Sequence, residues 1–168
     1  MFVVLDLDQT VADNAHRAHH VEKEPKDWDA FLSPDLVIKD TVIAGAERVI
    51  AQLVELKYEL IVLTGRNEDL RDVTMRWLLD NLNLAIPDTH LLMRPAGNML
   101  TAGEFKREQL LNFRQGLDNR DNGFIIIDDD VEVGAALNSF GIVFKAPECW
   151  SLLFPLAKPA PEPDPVGA

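Results

Sequence analysis

Short apolar runs alternate with stretches of helical spacing along most of this chain. Uninterrupted runs predict buried strands near 2–7, 59–64, 90–93, 123–128 and 141–145. Between them, Val49, Ile50, Leu53 and Leu56 recur at helical spacing, and similar patterns predict helices near 45–57, 67–82, 103–116 and 131–139. Asn67, followed by Glu68 and Asp69, reads as the cap of the second of these helices. Strands that alternate with helices imply right-handed crossovers, so the class is α/β, with a mainly parallel five-stranded sheet flanked by helices.

Two segments break the rhythm. Residues 12–40 are polar, contain Pro25 and Pro34, and hold Trp28 and Phe31; they read as a small cap insertion after the first strand. At the other end, proline stands at 155, 159, 161, 163 and 165, which predicts an extended tail with no packed core. The expected organisation is one domain over 1–150 and a Pro-rich tail over 151–168. There are no internal repeats.

Composition narrows the setting. At 168 residues, with 47% apolar and 26% charged side chains, the chain can bury one sizeable core. The single cysteine, Cys149, cannot form an internal disulfide. The apolar start lacks a basic leader and is interrupted by Asp6, and no run is long enough to span a bilayer, so a cytoplasmic protein with no membrane partner is expected. The net charge of −12 argues against tight, sequence-independent binding to nucleic acid. Its distribution adds to the picture. Residues 1–60 carry 6 basic and 12 acidic side chains and residues 121–168 carry 2 and 8, whereas residues 61–120 carry 8 of each. That middle third, with Arg66, Arg94 and Lys106, is where an anion could be received.

Four pieces of the chain carry chemistry. The first strand runs into Asp6 and Asp8, with Thr10 two residues on; the second predicted strand runs into Thr64, Gly65 and Arg66. Lys106 falls early in a helix, and a further strand ends in Asp128, Asp129 and Asp130. If the first strand continues through Asp8, its two carboxylates enter the same space, because side chains at i and i+2 of a strand point the same way. Ligands of open α/β sheets bind outside the carboxyl ends of the strands, where all four pieces can meet.

The set suits phosphoryl transfer, which needs a nucleophile, an acid for the leaving group, and positive charge for the equatorial oxygens. Asp6 is the expected nucleophile and Asp8 the expected acid/base. Thr64, Gly65, Arg66, Arg94 and Lys106 are the expected phosphate or substrate contacts. So many carboxylates beside a phosphate also imply a divalent cation, Mg²⁺, on hard oxygen ligands.

With these motifs the chain resembles the haloacid dehalogenase (HAD) superfamily over about residues 1–145. That resemblance implies a HAD-like Rossmannoid fold and an aspartyl-phosphate on Asp6. It also implies Mg²⁺ held by the Asp6 carboxylate, the Asp8 backbone carbonyl and Asp128, with Asp129 in support. A narrower resemblance, to the 3′-phosphatase domain of phage-type polynucleotide kinase–phosphatases, rests on Thr64 to Arg66, Trp77 and Leu78, Leu91 to Arg94, Lys106 to Glu108, and Asp128 to Asp130 with Val133. The chain departs from that pattern at Gln9, where the family has Gly, and at Asn98, Thr101 and Ala102, where it tends to be acidic. No Gly-x-x-x-x-Gly-Lys-Ser/Thr loop for a kinase half is present. The implied substrate is a phosphorylated polynucleotide 3′ end or a nucleotide, and the implied setting is bacterial or phage-encoded in a host cytoplasm.

Two other readings fit the sequence. One is a small-molecule 5′-nucleotidase-type phosphatase, whose site a homo-oligomer would close with the 12–40 segment. The other is a non-catalytic binding module that recruits a partner through its Pro-rich tail. Among the remaining residues, His16, His19 and His20 read as a polar face, Trp28 and Phe31 as anchors that bury the insertion, and Cys149 and Trp150 as core.

Overall fold

The computed structural model describes residues 1–117 and 123–153. Five strands form one sheet: β1 (Phe2–Leu5), β4 (Glu59–Asn67), β5 (Leu91–Arg94), β6 (Phe124–Asp128) and β7 (Gly141–Lys145). Their order is β5-β4-β1-β6-β7, and every pairing is parallel. The chain builds outward from β1 to β4 and β5, then returns to lay β6 and β7 on the other side. Strand order therefore reverses beside β1, where such sheets form a crevice.

The central strand shows why its sequence is a continuous apolar run. Val3 and Leu5 belong to one core with Val62, Ile127, Trp77 and Trp150, while Phe2 and Val4 belong to a second with Ile61, Leu63, Phe105 and Ile126. Alternate side chains enter opposite cores, and helices cover both faces, so no position on β1 is left for a polar residue. The principal helices are α4 (Ala46–Glu55), α5 (Arg71–Leu82), α6 (Ala102–Gln115) and α7 (Val131–Leu137).

The insertion is a small unit of its own. Strands β2 (Ala12–Asp13) and β3 (Thr41–Val42) pair antiparallel and close it, and three one-turn helices lie between them: α1 (Ala15–Ala18), α2 (Trp28–Phe31) and α3 (Pro34–Val37). Two buried tryptophans fasten it to the domain. Trp77 Nε1 donates to the Asp40 carbonyl at 2.7 Å, and Trp150 Nε1 donates to the Thr10 carbonyl at 2.8 Å. Cys149 and Trp150 are core residues, as the sequence implied.

Several local expectations need correction. The first strand stops at Leu5, because Gln9 adopts a φ of 63° and the amides of Thr10, Val11 and Ala12 all turn back onto the Leu7 carbonyl. Asn67 is the last residue of β4 and makes no side-chain cap; a turn of 3₁₀ helix over Glu68–Leu70 precedes α5. Phe31 is buried, but Trp28 is 52% exposed and anchors nothing by burial. A short helix α8 (Glu148–Leu153) follows β7, and residues 154–168 of the expected tail lie outside the described residues. No helix among the described residues is long and apolar enough to cross a membrane.

Candidate active site

Because the sheet is parallel, the carboxyl ends of β1, β4, β5 and β6 share one edge. A pocket of about 550 Å³ opens there, and Asp6, Asp8, Gly65, Arg66, Arg94 and Lys106 all line it. Two charge clusters of different balance form its floor.

The first cluster centres on Asp6. Its amide donates to the Ile127 carbonyl at 3.0 Å, which extends the β1–β6 ladder one residue and fixes the backbone under the carboxylate. Lys106 reaches it from α6. A capping box between Thr101 and Glu104 sets where that helix starts, and Phe105, Lys106 and Leu110 then face inward. The Lys106 ammonium donates at 2.7 Å to Asp6 Oδ1 and at 2.7 Å to Asp128 Oδ2. Thr10 Oγ1 shares its one proton between Asp6 Oδ2 at 3.2 Å and Asp129 Oδ1 at 3.0 Å, and accepts the Asp129 amide at 3.0 Å. The Asp triplet is thus divided. Asp128 and Asp129 face Asp6, whereas Asp130 caps α7, accepting the amides of Glu132 and Val133.

One ammonium faces three carboxylates here, and the imbalance shows in their proton affinities. Burial pushes the Asp6 carboxyl up to about 6; Lys106 opposes the rise, while Asp128 and Asp8 add to it. Burial also raises Asp128 and Asp129. Lys106 resists its own burial, because Asp6 and Asp128 hold its ammonium charged. Ligand oxygens of Asp6, Asp128 and Asp129 lie within 4.8 Å of one another. Three clustered hard donors with excess negative charge fit a divalent cation, whose charge would offset that excess.

The second cluster holds Asp8 and balances by itself. Burial alone would raise the Asp8 carboxyl, but Arg66, Arg17 and Asn14 more than offset this and hold it at about 2. Arg66 donates from Nε to Asp8 Oδ2 at 3.0 Å and from Nη2 to Asp8 Oδ1 at 2.9 Å, and its Nη2 also reaches Asp40 Oδ2 at 2.7 Å. Arg17, fully buried on α1, donates from Nη2 to Asp8 and to Asp40 Oδ2, from Nε to Asp40 Oδ1 at 2.8 Å, and from Nη1 to the Phe31 carbonyl at 2.9 Å. Two guanidinium groups therefore face two carboxylates, each with geometry good enough to offset its loss of water. Arg66 Nη1 is buried and has no hydrogen-bond partner among the described residues.

Of the other expected contacts, Thr64 is fully buried and off the pocket wall, and its hydroxyl accepts the Arg66 amide at 3.2 Å. Gly65 lines the pocket, and a side chain there would meet nothing within 4 Å. Arg94 ends β5 on the pocket wall. Its guanidinium lies 4.4 Å from the centroid of the Phe105 ring, and Nη1 donates to Asn98 Oδ1 and the Leu100 carbonyl, both uncharged acceptors. Among the described residues, no carboxylate pairs with Arg94. Burial pushes the Cys149 thiol up to about 11, so it offers no nucleophile.

Sequence reasoning passed over Arg17 and Asp40. Both sit in the polar 12–40 insertion, 23 residues apart. Only the closure of the insertion brings them together beneath Asp8.

No family model matches the sequence, and no curated protein matches it. Solved structures do share its architecture. A chain of the Pnkp1/Rnl/Hen1 RNA repair complex superposes with a TM-score of 0.65 at 20% identity over 86% of this chain. The class C acid phosphatase from Bacillus anthracis gives 0.58 at 20% identity, covering 86% of this chain and 66% of that one. The HAD domain of effector protein Lem4 from Legionella pneumophila gives 0.53 at 14% identity, covering 92% of each. This chain spans 42% of the length of the RNA repair chain it matches. At these identities the likeness is one of architecture: this chain shares the fold of these three structures, the HAD domain of Lem4 among them.

Proposed function

We propose that the chain is a Mg²⁺-dependent phosphomonoesterase that works through an aspartyl-phosphate on Asp6, acting on phosphorylated nucleic-acid ends or nucleotides. The observation that carries this reading is the pairing of two unlike carboxylates on one pocket floor. Asp6 sits in an anionic cluster that, among the described residues, Lys106 alone balances, whereas Asp8 sits in a neutral guanidinium clamp. In the protein alone, Asp6 holds its proton more tightly than Asp8, the reverse of what a nucleophile and an acid need. A divalent cation on Asp6 would lower its proton affinity and a phosphate beside Asp8 would raise that of Asp8, which sets the two roles.

An Asp6 oxygen attacks phosphorus, and the bond from phosphorus to the ester oxygen breaks. Asp8 donates a proton to the departing alkoxide, then takes one from the water that attacks phosphorus in the second step and returns Asp6 as a carboxylate. A dianionic phosphate beside Asp8 raises its proton affinity from the low value set by the clamp. Lys106 and adjoining backbone amides hold the phosphoryl oxygens, with the buried Arg66 Nη1 a further donor at the site, while Thr64, buried off the pocket wall, fixes the Arg66 backbone instead of touching substrate. When bound by Asp6, the Asp8 carbonyl, Asp128 and Asp129, Mg²⁺ would neutralise charge on the transferred group. Arg94, with no carboxylate partner among the described residues, is the contact for a second anionic group of the substrate.

The substrate class draws support from that Arg94 charge and from the architecture shared with a component of an RNA repair complex. The test is phosphate release, with Mg²⁺ and with EDTA, from a 3′-phosphorylated oligonucleotide, its 5′-phosphorylated twin, nucleoside 3′- and 5′-monophosphates and an aryl phosphate. Release that needs Mg²⁺ and disappears in a folded Asp6→Asn variant is expected. Turnover by that variant would overturn the role of Asp6. Preference for a mononucleotide over either oligonucleotide would select the nucleotidase branch of the reading.

A further inference from the structure

The upper walls of the pocket are unlike its floor. Trp28 is 52% exposed, Met99 93% and Leu100 38%, and all three line the cavity that holds Asp6 and Asp8. Single exposed apolar residues are ordinary on a protein surface, but three around one charged site are a feature to explain. They come from separate parts of the chain: Trp28 from α2 in the insertion, Met99 and Leu100 from the segment between β5 and α6.

Trp28 is also held in place. Its ring packs edge-on against Phe31, with centroids 5.8 Å apart at 87°, and the Arg17 guanidinium lies 4.3 Å from the Phe31 ring centroid. Arg17 in turn grips Asp8. The exposed indole is therefore built onto the same group of side chains that fixes Asp8, which gives it a set position relative to the reacting centre.

We propose that Trp28, with Met99 and Leu100, forms a nucleobase platform, on which the base of the phosphorylated nucleoside stacks while its phosphate reaches Asp6. The inference rests on the phosphomonoesterase reading and names what its leaving group must carry. A flat aromatic base gains from covering an exposed indole, and every base has such a face, so the platform selects nucleotides over sugar phosphates with little preference among bases. A thioether and a leucine can adapt to bases of different size.

The chain has three tryptophans, and Trp77 and Trp150 are 0% and 1% exposed. Quenching of tryptophan fluorescence by an added nucleoside therefore reads Trp28. The experiment titrates the full chain, in EDTA, with adenosine and with adenosine 3′-monophosphate, and repeats the titrations on Trp28→Leu and Trp28→Tyr. Saturable quenching by both ligands is expected, lost in Trp28→Leu. In steady-state assays with Mg²⁺, Trp28→Leu should raise KM for nucleoside monophosphates by roughly tenfold, the scale of one base–aromatic stack. The selectivity for a nucleotide over ribose phosphate should fall by the same factor and return in Trp28→Tyr. No quenching, or unchanged selectivity in Trp28→Leu, would overturn the platform. Saturable quenching without phosphate release from any substrate would support the platform and sink the catalytic reading instead.

Discussion

Replacing Asp6 by Asn should change how stability depends on pH, by an amount the site's geometry sets. The Asp6 carboxyl is raised from its ordinary 3.8 to about 6, chiefly by burial. The folded state thus holds the proton more tightly than the unfolded chain does. Below about pH 4 both states are protonated and ionisation costs nothing. Above about pH 6 both are ionised and the folded state bears the full penalty, about 3 kcal/mol at roughly 1.4 kcal/mol per tenfold change in proton affinity. Stability from this group therefore falls as pH rises from about 4 to about 6, then levels. Asp6→Asn has no such loss, and removing the charge also eases ionisation of Asp128, an effect of the same sign. The assay is urea unfolding of both proteins in EDTA, followed by far-UV circular dichroism. Measuring the difference between them cancels the other titrating groups. Between about pH 4.5 and pH 8 the variant should gain about 2 kcal/mol relative to the parent. Added Mg²⁺ should then restore stability to the parent more than to the variant, because the carboxylate it would bind is gone. Parallel stability profiles for the two proteins across this range would refute the claim that Asp6 is a destabilised, burial-raised carboxyl.

Other perturbations separate the two clusters and the backbone. Arg17→Ala leaves Asp8 and Asp40 short of a buried partner and should cost about 3–5 kcal/mol in urea unfolding, with the Asp8 carboxyl rising from about 2 when followed by NMR titration. Thr10→Val removes the hydroxyl shared by Asp6 and Asp129 and should cost about 1–3 kcal/mol, along with most phosphate release. Gly45→Ala should destabilise by more than about 1 kcal/mol, since φ there is 91° and the new Cβ would lie 3.2 Å from the Trp150 Cβ. Gly65→Ala has open space around it and no such φ, so it should change stability by less than about 1 kcal/mol in the same measurement.

What the sequence determined was the sheet and one edge of it. A strand covered on both faces must be apolar throughout, so β1, β4 and β6 were legible as uninterrupted runs, and parallel pairing then placed the residues after them together. Asp6, Arg66, Asp128 and Lys106 follow from that logic, with Lys106 phased by a capping box that is itself a local signal. Tertiary structure decided how those charges are shared. Nothing local distinguishes Asp128 and Asp129, which face Asp6, from Asp130, which caps α7. The alternation of a strand put Asp6 and Asp8 in one environment, yet the turn at Gln9 delivers them to opposite kinds of neighbour. Nothing singled out Arg17 and Asp40 within the polar insertion, and Trp28 read as its anchor. Their burial and exposure depend on where β2 meets β3 and where Trp77 and Trp150 fasten the loop. Periodicity reports which side of an element is dry; which charge meets which is fixed only when distant segments close on one another, because partners 23 or 58 residues apart leave no trace in local spacing.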